Sequence, residues 1–279
     1  DEARTLVERY DEIIERYGQH PIAADALYHA AVLEDEVLQN TDRARDRLMR
    51  LLNTWRGTTT WIDAALRLAD IYLAMRRDAE AVNVLRMVLA TPQNVATDRR
   101  DLARLRLGDL HFWEGNLDSA RTYFLPLAET PGSLASNDAI DRLLLIDLAQ
   151  DDSTAVKTIA AAEGMLVRRS YMDAGRTFAS AAAATRDAEL RDRALYNGAL
   201  AYVRAGSDSL ARPLIEEILP SIPESIFGDR ALVLVADILQ RRGDVQGALQ
   251  ALDALLVNYP RSILVPNARE RIRRLRGDA

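Results

Sequence analysis

The sequence has 279 residues, a formal net charge of −6, 48% hydrophobic residues and no cysteine. The missing cysteine excludes disulfides, thiolate metal sites and cysteine nucleophiles, and the acidic balance argues against the basic stripe of a nucleic-acid binder. No apolar run approaches the ~18 residues that a membrane-spanning helix needs.

In chain order, residues 1–17 (EARTLVERYDEIIERY after Asp1) read as the second helix of a pair whose first helix is missing. The chain opens at Asp1 without methionine, so a signal sequence or further repeats are expected ahead of it. Residues 25–58 carry Ala44, Leu48 and Leu51 at helical spacing, with Ala31 or Val32 as the small residue of a preceding helix. Residues 62–95 repeat the arrangement with Ala69, Tyr72, Ala81, Leu85 and Val88, and Pro92 as a stop. Residues 101–134 repeat it again, with Gly108, Gly115, Ala120, Phe124 and Leu127, and Pro131 as the stop. The stretch 136–149 reads as an extra helix, followed by a pair at 153–168 and 171–184 with Ala162, Ala174 and Phe178 inward. Asp151, Asp152 and Ser153 form an N-cap cluster.

The clearest repetition follows. Residues 192–225 overlay residues 229–262 at an offset of 37, matching Asp192 to Asp229, Ala199 to Ala236, Gly206 to Gly243, Ala211 to Ala248, Pro223 to Pro260 and Ser225 to Ser262. A small residue in each helix lets two antiparallel helices approach closely, and glycine between them takes the left-handed conformation that ends the first. Leu210, Leu214, Ile215, Ile218 and Leu219 in one copy, and Leu249, Leu252, Leu255 and Leu256 in the other, form the apolar stripe of the second helix. A final helix, 265–276, is rich in arginine.

A fixed period of this size implies one small unit stacked on copies of itself. The pattern resembles the tetratricopeptide repeat family, over nearly all of 22–262. The resemblance implies an all-α, right-handed α-α superhelix of about six helix pairs, with one irregular inserted helix and a C-terminal capping helix. The expected organisation is a single solenoid: a partial first repeat at 1–17, regular repeats at 22–132, an irregular segment at 133–185, regular repeats at 188–262 and a cap at 263–276. The period and the endings RYGQHP, SIPES and NYPRS are similar in style to bacterial cell-envelope members of the family. Lys157 is the only lysine, which fits the coding bias of a GC-rich bacterium. A periplasmic or envelope location is therefore expected, with the cytoplasm as the alternative.

No catalytic constellation is present. His20, His29 and His111 share no ligand spacing, and His111 stands where Tyr72 and Tyr202 stand in other repeats, a packing position. There is no phosphate loop and no GxSxG or HExxH motif. The RGD at 276–278 reads as coincidence. Catalytic residues, cofactors and metals are therefore expected to be absent, and the chain reads as a non-enzymatic protein-interaction scaffold or assembly factor. The alternatives are an accessory subunit of a large membrane complex and a cytoplasmic peptide-sensing regulator.

In such a family the first helices line a concave face that binds protein or peptide. In the repeat frame that face comprises His29, Leu66, Asp70, Leu105, Asp109, Phe112, Trp113, Tyr196, Leu200, Arg204, Asp237 and Arg241. Phe112 and Trp113 are its expected anchors, since aromatics dominate interface energetics. Arg269, Arg271, Arg273, Arg274 and Arg276 form an alternative docking end, or a polar cap with cations near a helix C-terminus.

Overall fold

The repeat frame is realised as fifteen α-helices in the computed structural model, which describes residues 2–92, 97–130, 132–222 and 224–277. They are α1 (Glu2–Tyr17), α2 (Pro21–Glu36), α3 (Thr41–Thr54), α4 (Thr59–Ala74), α5 (Asp78–Leu89), α6 (Thr97–Trp113), α7 (Leu117–Ala128), α8 (Ser136–Leu148), α9 (Ser153–Val167), α10 (Tyr171–Ala184), α11 (Ala188–Arg204), α12 (Asp208–Ile218), α13 (Gly228–Arg241), α14 (Val245–Asn258) and α15 (Val265–Arg276). No strand occurs among the described residues. The described residues are thus all-α, with a single α1, three helix pairs (α2–α7), a lone α8, three more pairs (α9–α14) and the capping α15. The expected stops Pro131 and Pro223, and Asp278 of the RGD triplet, lie outside the described residues.

Ala44, Ala81, Ala120, Ala174, Ala211 and Ala248, one in each second helix, are all 0% exposed. Each donates its N–H to the carbonyl of the residue four earlier at 2.9–3.2 Å, so each sits at the fourth position of its helix. Their partners in the first helices are equally buried: Ala69, Ala162, Ala199 and Ala236 are 0% exposed. Ala31, also 0% exposed, takes the small position in α2, while Val32 stays partly exposed. Gly108 is needed for a different reason, because a Cβ there would stand 2.5 Å from Phe124 Cε1. Most of the expected second-helix stripe is core. Leu210 is the exception at 46% exposed, because it lies on the outer side of α12 beside the buried Ala211.

The turn inside each pair is one motif used six times. The residue five before each second-helix alanine has positive φ: Gly115 (76°), Gly206 (72°) and Gly243 (78°), but also Gln39 (53°), Arg76 (58°) and Arg169 (57°). In five pairs the next N–H closes back on the first helix (Arg77 to Tyr72, Asn116 to His111, Ser170 to Met165, Ser207 to Tyr202, Asp244 to Leu239) at 2.8–2.9 Å, the bond that ends a helix in a left-handed cap. The left-handed conformation costs an L-residue about 1–2 kcal/mol, and glycine's extra freedom in the unfolded chain returns about 0.5–1 kcal/mol of that. Gln39→Gly is therefore expected to raise stability by about 0.5 kcal/mol, and Gly243→Ala to lower it by about 1 kcal/mol. Urea denaturation midpoints at constant m-value check both signs.

By its contacts the chain divides into two compact units, Asp1–Phe112 with Asn116–Ile146, and Trp113–Gly115 with Asp147–Ala279. Within the first, α1, α2, α3, α4 and α5 pack in succession and α2 also touches α4. Within the second, α9 to α15 pack in succession, with α9 on α11 and α11 on α13. The last core layer joins Leu232 and Ala236 of α13, Leu252 and Leu255 of α14, and Val265, Ala268 and Ile272 of α15.

Lone helices end both units in the same way. Ser133, just before α8, donates to Asp101 at 2.9 Å, and Arg142 of α8 bonds Asp109 at 2.8 Å. Ser262, just before α15, donates to Asp229 at 2.5 Å, and Arg271 of α15 meets Asp237 at 2.6 Å. The spacing matches as well: the two acids are eight residues apart in each case, and the Ser and Arg nine apart. α8 is thus a first-type helix without a second, which accounts for the irregular segment. Asp152 caps α9 by accepting the Ala155 N–H at 2.9 Å, as its cluster implied.

Candidate functional site: the first-helix faces

First helices one repeat apart are joined by arginine and aspartate. Arg99 of α6 grips Asp63 of α4, and two turns of each helix further on Arg106 grips Asp70 with Nε at 2.5 Å and Nη2 at 2.8 Å, a two-pronged pair. Arg67 of α4 reaches Asp35 of α2 at 3.0 Å and Glu36 at 2.8 Å. Arg47 of α3 bridges Asp11 of α1 and the buried Glu34 of α2. The hydrogen bonds that it donates to Asp11, opposed by burial and reinforced by Glu34, hold the Arg47 guanidinium above the ordinary arginine range. In the second unit Arg241 of α13 pairs with Asp208 at 2.8 Å.

These pairs change what the expected face presents. Asp70, Asp109 and Asp237 are each paired with an arginine from the first-type helix that follows. Asp109 is the most enclosed, with 14% of its side chain exposed against 19% for Arg142. Desolvation pushes its carboxyl above the usual aspartate range, with Arg142 pulling the other way.

The hydrophobic members of the list divide. Leu66, Leu105 and Phe112 are buried, at 7%, 6% and 0%. The Phe112 ring lies in the chain's own core, 5.1 Å from the Arg142 guanidinium carbon, and so is no accessible anchor. Its i+3/i+4 neighbours are polar or glycine, a pattern that hides its burial in the sequence. His29 is exposed, between the rings of Tyr10 at 6.0 Å and Tyr28 at 5.5 Å. His111 stacks on Tyr123 at 5.4 Å, the packing role its repeat position implied.

In the second unit, half-buried Trp113 lies against Gly164, where a Cβ would stand 3.0 Å from the Trp113 Cβ, and its indole N–H is buried without an acceptor among the described residues. Tyr196, Leu200 and Arg204 follow one another at successive turns of α11. Tyr196 stacks on Phe227 at 5.7 Å, and burial pushes its hydroxyl pKa up. Arg204 is exposed and makes no ion pair with a described residue. The arginine ladder is the feature the sequence reading missed. Its signal was present as Asp63/Arg99 and Asp70/Arg106, each separated by 36 residues.

On α15, Arg271 is engaged with Asp237, Arg274 with Glu270 and Arg276 with Asp253, while Arg269 and Arg273 point to solvent unpaired among the described residues. Among the described residues no three His, Asp or Glu side chains converge as metal ligands, and no helix is long and apolar enough to cross a membrane.

Residues 25–57, 63–93 and 230–262 each match the family model described as tetratricopeptide repeat. No curated protein matches the chain. Among solved structures it is similar to the C-terminal part of a TPR repeat-containing protein from Cytophaga hutchinsonii (14% identity, 96% of this chain and 94% of that one, TM-score 0.38). A second is a tetratricopeptide repeat protein from Parabacteroides merdae (15%, 95% and 96%, TM-score 0.36). A third is PilW, a widely conserved type IV pilus biogenesis factor (17%, 88% and 97%, TM-score 0.38).

Proposed function

Because three stretches of the chain, 25–57, 63–93 and 230–262, match the tetratricopeptide repeat, we propose that it is a non-enzymatic scaffold that holds other proteins in a bacterial cell envelope. The observation that carries the binding surface is the stripe on α11: Tyr196, Leu200 and Arg204 present an aromatic, an aliphatic and an unpaired cation at successive turns of one helix. Aromatics and arginine are the residue types that anchor interfaces. Asp237 and Arg241 of α13 are already paired and flank the site as fixed polar groups. The partner segment that suits this surface carries an apolar side chain followed by a carboxylate. In the first unit, His29 between its two tyrosines is the corresponding accessible group. The envelope assignment rests on the repeat endings RYGQHP, SIPES and NYPRS.

The test is affinity capture from the native host with Leu200→Glu, after a thermal melt has confirmed folding, beside an Arg269→Glu/Arg273→Glu variant. The expected result is that the α11 variant loses the captured partner by about tenfold or more, a hot-spot loss of ~1.4 kcal/mol or above, while the α15 variant keeps it. The opposite pattern moves the interface to the C-terminal end and favours an accessory subunit of a larger complex. Protease protection in intact cells, lost on opening the outer membrane, checks the envelope assignment; a cytosolic fraction would favour the regulator.

A further inference from the structure

The rim of the second unit that carries the loops before α13 and α15 exposes aliphatic side chains for which folding gives no reason. Ile226 is 63% exposed, Val257 76% and Ile263 89%. They belong to one place: Ile226 shares a shallow hollow with residues 258–262, and Val257 and Ile263 flank that stretch. Ile226 and Ile263 occupy the same repeat position, directly after Ser225 and Ser262. Both serines bond an N–H two residues on, and those bonds fix the loops so that the following side chain stands outward.

Arg261 lines the hollow, and the helix that begins just beyond it, α15, is positive in a chain that is otherwise acidic. Residues 261–279 hold six arginines against Glu270 and Asp278. Arg261, Arg269 and Arg273 are exposed and make no ion pair with a described residue. Glu224 is the one exposed acid lining the hollow; Asp229 there is committed to Ser262.

We propose that this rim docks on an anionic lipid surface, with Ile226, Val257 and Ile263 entering the headgroup boundary and Arg261, Arg269 and Arg273 meeting lipid phosphates. The form of the patch favours lipid over a protein partner. Its apolar groups are separate aliphatic tips around a hollow lined mainly by polar residues, whereas a protein hot spot centres on an aromatic or arginine in a desolvated pocket. The aromatic at hand, Tyr259, has its hydroxyl committed to the Ser225 carbonyl at 3.1 Å. Shallow aliphatic insertion combined with basic residues is the recipe for reversible interfacial binding. The rim shares no side chain with the α11 stripe, although Ile226 adjoins Phe227, on which Tyr196 stacks, and the variants that test it leave Tyr196, Leu200 and Arg204 in place.

The experiment is co-sedimentation of the whole chain with phosphatidylcholine vesicles made with and without phosphatidylglycerol. Binding is expected to the anionic vesicles only and to weaken as salt shortens the screening length. Arg269→Gln/Arg273→Gln should weaken it by about fivefold per arginine, the equivalent of ~1 kcal/mol each. Ile226→Ser/Val257→Ser/Ile263→Ser should weaken it on the order of tenfold or more. All of these side chains are exposed, so circular dichroism should register no loss of fold. The proposal is overturned if the wild-type chain stays in the supernatant with anionic vesicles, or if the triple variant binds as the wild type does. Sedimentation velocity supplies a third outcome: self-association abolished by Ile263→Ser would make a second copy of the chain the occupant and equally overturn it.

Discussion

Ala211→Leu is expected to lower the stability of the chain by about 1–3 kcal/mol, the range for forcing methylenes into a filled core. Ala211 is 0% exposed at the fourth position of α12, and its first-helix counterpart Ala199 is 0% exposed too. A leucine cannot turn outward from that position, because the helix axis fixes where the Cβ points. The control is one residue away: Leu210→Ala, at a 46% exposed site, should change stability by about 0.5 kcal/mol or less. Denaturant titrations of the pair separate a register effect from general sensitivity of α12. Equal losses from both would mean that the helix-pair frame is misplaced.

Arg142→Ala is expected to cost about 3 kcal/mol at neutral pH, the lower end of the range for removing one partner of a buried ion pair. The cost arises on the other side of the pair. Asp109 would keep its desolvation, lose its counter-charge, and lie in an environment that already pushes its pKa up. The sign follows from linkage: a carboxyl whose folded pKa exceeds its unfolded value carries a penalty above the folded pKa, relieved as pH falls through it. Without Arg142 the folded pKa rises further. The gap between wild type and variant should therefore be widest at neutral pH and narrow in acid. Thermal melts across pH check this, and Asp109→Asn in the Arg142→Ala background should recover much of the loss and flatten the pH dependence. A gap independent of pH would assign the cost to the lost contact between Arg142 and the Phe112 ring.

The fold was legible because it rests on few and strict demands. A crossing that tolerates only alanine or glycine leaves a mark at every repeat, as at Ala44, Ala81, Ala120, Ala174, Ala211 and Ala248, and a period can be read from such marks alone. The left-handed turn was half legible. Glycine announces it at 115, 206 and 243, whereas Gln39, Arg76 and Arg169 adopt it without a sequence signature, held by the cap bonds around them. Legibility was poorer at the candidate site, for a physical reason. Side chains on first helices face either the open surface or the next first helix, and helical spacing does not distinguish the two. Phe112 went inward, and Asp70 and Asp109 turned to Arg106 and Arg142. A pair such as Asp70/Arg106 is visible in sequence only when residues a whole repeat apart are compared.

That ladder bears on how the first unit comes apart. Each rung joins residues in neighbouring repeats, so its energy belongs to the junction between repeats and not to either one. In an array of stacked units, junction energy is what makes the melting of one repeat carry its neighbours with it. If α4 frays, Arg99 and Arg106 of α6 lose their counter-charges at once, and so do Asp35 and Glu36 of α2. Loss of order at one repeat is thereby transmitted in both directions along the stack. Amide exchange in α2, α4 and α6 should accordingly occur as one cooperative block, with α3 and α5 protected only as long as that block holds.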